Sequence, residues 1–189
     1  MEAKALADVI LPAPHAIFDR GSTDSGHYLY QASSFGPRKS FNAEGAKSTL
    51  VELRGEGSQT MIPPSVHPSD SNLAFMSFHE EAPEVQYDDL LKSVNLLAAC
   101  SEVAKNWGDG HRHNLVLGFS GLWFKDGIET NLIMHIVQRI CEITCDHEVN
   151  QTGFTGEHKA WKVWYDQRQF RKPVFDRGSR PCGAFGSRE

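Results

Sequence analysis

The stretch Leu73-Ala74-Phe75-Met76-Ser77-Phe78-His79-Glu80-Glu81-Ala82-Pro83-Glu84-Val85-Gln86-Tyr87-Asp88-Asp89-Leu90 holds the change of pattern that decides the fold class. Up to Phe78 the chain is rich in Gly, Pro and Ser and breaks into short β-prone runs: Ala16 to Asp19, His27 to Gln31, Thr49 to Arg54, Gln59 to Ile62 and Leu73 to Phe78. The runs are separated by Gly21 to Gly26, Gly36-Pro37, Gly55-Glu56-Gly57 and Pro63-Pro64, all poor places for regular structure.

Beyond the Glu80 to Glu84 linker the period becomes helical. Tyr87 to Trp107 aligns Leu90, Val94, Leu97, Ala104 and Trp107, and Gly108-Asp109-Gly110 stops it. His113 to Lys125 aligns Leu115, Phe119, Leu122 and Trp123, and Asp126-Gly127 closes it. Glu129 to Cys145 aligns Ile133, Ile136, Val137, Ile140 and Thr144. Gly118 and Gly121 read as sites of close helix approach, and Glu157 to Phe170 as a weaker fourth helix. The expected fold is therefore α+β: a small mixed β-sheet in residues 1–80, then a helical bundle with a basic tail in residues 81–189.

Composition sets the outer limits. A chain of 189 residues, 40% of them hydrophobic, can bury a sizeable core. No apolar run approaches the roughly 20 residues of a membrane helix, and Met1 to Leu11 lacks the basic head and apolar stretch of a leader, so the expectation is a cytoplasmic protein without a membrane partner. The four cysteines, Cys100, Cys141, Cys145 and Cys182, fit reduced thiols better than a disulfide framework. A net charge of −5 gives the whole molecule no basic footprint, so any nucleic-acid contact has to be local. The basic and aromatic stretch from Lys159 to Arg188 suits stacking plus phosphate contact, although an amphipathic helix and a solvated tail is the favoured reading.

Three features of the β-rich part carry candidate chemistry, in a fixed order. Ser25-Gly26-His27 opens a strand, Val51-Glu52-Leu53-Arg54-Gly55 lies within or ends another, and Pro63-Pro64-Ser65-Val66-His67-Pro68 comes third. On neighbouring strands facing one groove, His27 and Glu52 would set an imidazole beside a carboxylate. The imidazole can donate to a phosphate oxygen and the carboxylate can hold a hard cation. Taken singly, such a His or Glu is more often structural or solvated. Cys141, Cys145 and His147 have a spacing that zinc tolerates, but no fourth ligand stands at a usual distance and Cys141 falls on an apolar stripe, so free thiols are the favoured reading. There is no phosphate loop ending in Lys-Ser/Thr, no Gly-x-Ser-x-Gly elbow and no His-Glu-x-x-His.

The ordered set resembles the bifunctional DNA primase/polymerases of the archaeo-eukaryotic primase superfamily. Ser25-Gly26-His27-Tyr28-Leu29-Tyr30 looks like that family's second motif and Val51-Glu52 like its third. Arg54-Gly55-Glu56-Gly57 and Pro63-Pro64-Ser65-Val66-His67-Pro68 resemble the segment C-terminal to the third motif in prokaryotic and mobile-element members. Arg112 to Leu122 is similar to the opening of the accessory bundle, and Cys145 to Val149 to its later part. The likeness runs over residues 15–150.

It implies a partial primase/polymerase catalytic fold with His27 and Glu52 as catalytic residues and Glu52 ligating Mg²⁺ or Mn²⁺. Ser25, His27, Arg54, Ser65 and His67 would bind a nucleoside triphosphate, and Arg112 and His113 a DNA template, although a capping or surface role at a helix N-terminus is the favoured reading of those two residues by themselves. The family's first motif, an acid-x-acid pair upstream of the His, has no counterpart: Glu2 and Asp8, upstream of His15, form no such pair. Two metal ions need more than one carboxylate. The expectation is a replication protein incomplete for catalysis as a lone chain, either a remnant of a longer product whose missing N-terminal segment or helicase would be a partner, or a degenerate relative. The alternative is a non-catalytic module that binds DNA or a replication partner.

Overall fold

The structure, a computed structural model, describes residues 2–21, 25–43, 48–66, 72–108 and 110–144. It starts with a helix that the β-prone reading of the N-terminal part did not anticipate, α1 (Glu2–Ile10). Leu6, Ala7 and Ile10 fall on one stripe and are buried, while Glu2 sits in the first turn, where a negative charge suits the helix dipole.

Five strands come next: β1 (Ala16–Asp19), β2 (His27–Leu29), β3 (Lys39–Asn42), β4 (Thr49–Leu53) and β5 (Ala74–Phe78). The α+β class holds, but in place of one mixed sheet there are two antiparallel ones, a three-stranded sheet in the order β2-β1-β5 and the pair β3-β4. The short connections after β1 and β3 explain the direction, because parallel neighbours need a crossover of about a dozen residues or more. β3 was not expected, since Lys39-Ser40-Phe41-Asn42 offers only one apolar residue. The run Gln59 to Ile62 is not a strand. Pro63 and Pro64 beside it have no N–H for a ladder, and the Gln59 carbonyl is engaged by the Arg54 guanidinium.

The three expected helices are present as α2 (Tyr87–Lys105), α3 (Arg112–Lys125) and α4 (Thr130–Ile143). Their stripes do what the period predicts in α2 and α4, where Leu90, Val94, Leu97 and Ala104 and then Ile133, Ile136, Val137 and Ile140 are buried. Among the described side chains of α3 only Ser120 and Trp123 are buried, and Leu122 is exposed. Gly118 and Gly121 have no described atom within 4 Å of where a Cβ would stand, so they do not mark a helix contact among the described residues. Glu157 to Phe170 lies outside the described residues.

One core joins α1 to the three later helices: Leu6, Ala7 and Ile10 pack with Leu97, Cys100, Val103, Trp123, Ile133, Ile136 and Ile140. Arg139 of α4 adds a polar tie, donating from Nε to the Ala5 carbonyl at 3.0 Å and from Nη2 to Asp8 at 2.9 Å. A second cluster of Leu53, Val85, Leu90 and Val94, with Tyr30, Phe41 and Val51 against it, seats β4 on α2. The strand that carries Glu52 is held by this second cluster.

Candidate functional site

β2 and β4 belong to different sheets, and each brings one candidate side chain forward. His27 pairs in register with Phe18 of β1, and the two rings stack with centroids 4.8 Å apart and planes 9° from parallel. Phe75, opposite Phe18 on β5, meets it edge-on at 5.9 Å, so an aromatic row supports the imidazole across the whole three-stranded sheet. His27 is half-buried, and that desolvation pushes its pKa below 6.5; the positive charges of Arg54 and Arg20 add to the effect, while Asp19 and Glu52 oppose it. The imidazole is therefore within electrostatic reach of Glu52 and Arg54 although they stand on the other sheet.

Glu52 is the centre of a guanidinium network. Arg54, two residues on and so on the same face of the extended chain, donates to Glu52 Oε2 from Nε at 3.1 Å and from Nη2 at 3.0 Å. Its Nη1 donates to Thr60 Oγ1 at 2.9 Å and to the Gln59 carbonyl at 3.3 Å. The other carboxylate oxygen, Oε1, takes an ion pair from Nε of Arg38. Arg38 precedes β3, whose Ser40 lies opposite Glu52 in the β3-β4 register. Burial works to raise the Glu52 pKa, but Arg54 and Arg38 outweigh it and hold the carboxyl below 4.5.

The backbone that delivers Arg38 is clamped. Gly36 is buried against the Tyr87 ring, with no room for a Cβ, and a Cβ on Gly55 would collide with the Gly36 carbonyl. Glu56 N–H donates to that same carbonyl at 2.9 Å, and the Tyr87 hydroxyl donates to the Pro37 carbonyl. Tyr87 is itself fixed at the start of α2, its N–H donating to Ser34 Oγ at 2.8 Å.

Asp19 is the acid that the sequence reading passed over. It is buried at the end of β1, accepts from Gly21 N–H at 2.7 Å and from Lys4 Nζ at 3.0 Å, and its charge reaches His27. Its bonds are those of a turn closure and a tie to α1. Arg38 was missed as well, because its link to Glu52 depends on the unforeseen strand β3. The signal available was the pair Arg38-Lys39 directly after Gly36-Pro37.

Ser25 is exposed just before β2. Ser65 is exposed in the turn after Pro63-Pro64, its N–H donating to the Ile62 carbonyl at 3.0 Å. Arg112 and His113 are the first two residues of α3. His67, Cys145, His147 and the Lys159 to Arg188 tail lie outside the described residues, and Cys141 is buried in the core.

As a seat for Mg²⁺ or Mn²⁺ the donor set does not fit. Both oxygens of Glu52 are engaged by guanidiniums, and among the described residues no group of three or more His, Cys, Asp and Glu side chains could hold a metal ion. The arrangement offers instead a cationic face beside a neutral imidazole. No helix of the described residues is long and apolar enough to cross a membrane. Comparison with protein-family models, with curated proteins and with solved structures returned no match.

Proposed function

We propose that the chain is a cytoplasmic DNA replication protein related to template-dependent primase/polymerases, which binds a nucleoside triphosphate at the face formed by His27, Glu52, Arg54 and Arg38. The single observation that carries this reading is that the half-buried His27 imidazole on β2 feels the charges of Glu52 on β4 and of Arg54 just beyond it, although β2 and β4 belong to separate sheets. The ordered motifs Ser25-Gly26-His27, Val51-Glu52 and Pro63-Pro64-Ser65-Val66-His67-Pro68 support it from the sequence side. A neutral, ring-supported imidazole is a donor to phosphate oxygen, and guanidiniums are the side chains best shaped for it. Ser25, Ser65 and His67 are proposed as further nucleotide contacts, and Arg112 and His113 at the start of α3 as the DNA contact. Mg²⁺ or Mn²⁺ belongs to this reading as an ion carried by the nucleotide's own phosphates.

A second reading, a binding module without catalysis that holds DNA or a replication partner, is favoured by the engagement of both Glu52 oxygens. Titration calorimetry with a nucleoside triphosphate, with and without Mg²⁺ or Mn²⁺, tests the proposal on the full chain, His27→Ala and Glu52→Ala. Micromolar binding weakened in both variants is the expected result. Equal binding by all three proteins removes His27 and Glu52 from the site.

A further inference from the structure

Arg54 and Arg38 are both paired to Glu52, yet they are not equivalent. A guanidinium has five N–H donors. Those of Arg54 are largely consumed, by Glu52 through Nε and Nη2 and by Thr60 and Gln59 through Nη1. Arg38 meets Glu52 through Nε, and its side chain is 60% exposed against 39% for Arg54. Beyond Nε a guanidinium carries two terminal nitrogens, a fork of further donors at the end of this exposed side chain.

That fork is held at both ends. From the side-chain end, Thr60 and Gln59 fix Arg54, Arg54 fixes Glu52 and Glu52 fixes Nε of Arg38. From the backbone end, the Gly36-Pro37 segment is packed between the Tyr87 ring and Gly55. A solvent-exposed arginine normally gives up considerable rotamer freedom when it grips an anion, and here the chain is already ordered.

Resting on the reading of this face as a nucleotide site, we infer that Arg38 is the residue that grips the polyphosphate, that Glu52 and Arg54 are positioning residues for its fork, and that the grip needs no divalent cation. A guanidinium fork matches two phosphate oxygens through parallel charge-assisted hydrogen bonds, which a lysine cannot reproduce. The role of Glu52 is opposite in sign to the one a simple charge count assigns. As mere negative charge beside an anion site it opposes binding, whereas as a positioning residue it favours binding.

The test is calorimetric titration of the full chain with inorganic tripolyphosphate in EDTA, beside the same titration with a magnesium nucleoside triphosphate. Binding in EDTA is expected, with Arg38→Lys weakening it by about tenfold or more, the factor of one lost charge-assisted contact. Glu52→Gln is expected to weaken it by a similar factor although it removes a negative charge. The Nε–H resonance of Arg38 in a ¹H–¹⁵N spectrum gives a readout independent of affinity, and is expected to lose its slow exchange in Glu52→Gln. Tighter binding by Glu52→Gln, or unchanged binding by Arg38→Lys, overturns the inference. Nucleotide binding that requires Mg²⁺, with no affinity for tripolyphosphate in EDTA, overturns the metal-free grip and leaves the nucleotide site standing. Loss of both titrations overturns the nucleotide reading itself.

Discussion

At the scale of single residues, the charged groups around His27 make two measurable statements. Burial first, then Arg54 and Arg20, lower the imidazole pKa below 6.5. An NMR titration of His27 is therefore expected to show a midpoint below 6.5, moving upward in Arg54→Gln. An unmoved midpoint would separate the two side chains and take His27 off the shared face. The unfolded chain takes up this proton at higher pH than the folded one, so the stabilising contribution of neutral His27 is lost as pH falls from 6.5 through the lower folded value.

Asp19 obeys the carboxylate rule. The Gly21 N–H and then Lys4 lower its pKa below 3.8, so its contribution is complete above 3.8 and disappears as pH falls through the folded value. Urea unfolding of Asp19→Asn is expected to show lower stability than the parent at neutral pH and a flatter acid limb. A parallel acid limb would mean that the Asp19 bonds contribute nothing to folding.

At the scale of elements, the contact between the Gly36 and Gly55 segments is what turns two loops into a platform for Arg38. Gly55→Ala forces a methyl against the Gly36 carbonyl, in a segment that also packs on the Tyr87 ring. The expected cost is about 1–3 kcal/mol in chemical unfolding, the range of overpacked sites, together with weaker anion binding. Gly57, with φ at 73° and open space around it, is a different case: strain there is conformational, so Gly57→Asn should be milder than Gly57→Val.

How far the elements were legible depended on how much apolar signal each carried. α2 and α4 repeat large aliphatics over several turns, and their boundaries lie within two residues of the periodicity. α1 is 9 residues long with a single buried stripe, too short for a helix to stand on its own local preference, and it forms because α2 and α4 cover that stripe. β3 is mostly polar and exists because β4 pairs with it. Leu122 on α3 matched the helical period but is exposed, because periodicity shows that a face is apolar and not whether a neighbour covers it.

At the scale of the whole molecule, the core takes residues from both ends of the described chain. Leu6→Ala removes a fully buried side chain between helices that are remote in sequence. A loss of about 2–5 kcal/mol in cooperative unfolding is expected, the usual range for such a cavity. A loss under about 0.5 kcal/mol, typical of a surface site, would detach α1 from the core.

The sequence by itself determined the α+β class, the change of pattern near residue 80, three of the helices and the order of the motif residues, because periodicity and turn chemistry are local properties of the chain. Only the tertiary structure decided that the strands form two antiparallel sheets, that α1 belongs to the helical core and that Arg38 joins Glu52. These depend on contacts between segments far apart in the chain, where pairing and burial, not local preference, set the free energy.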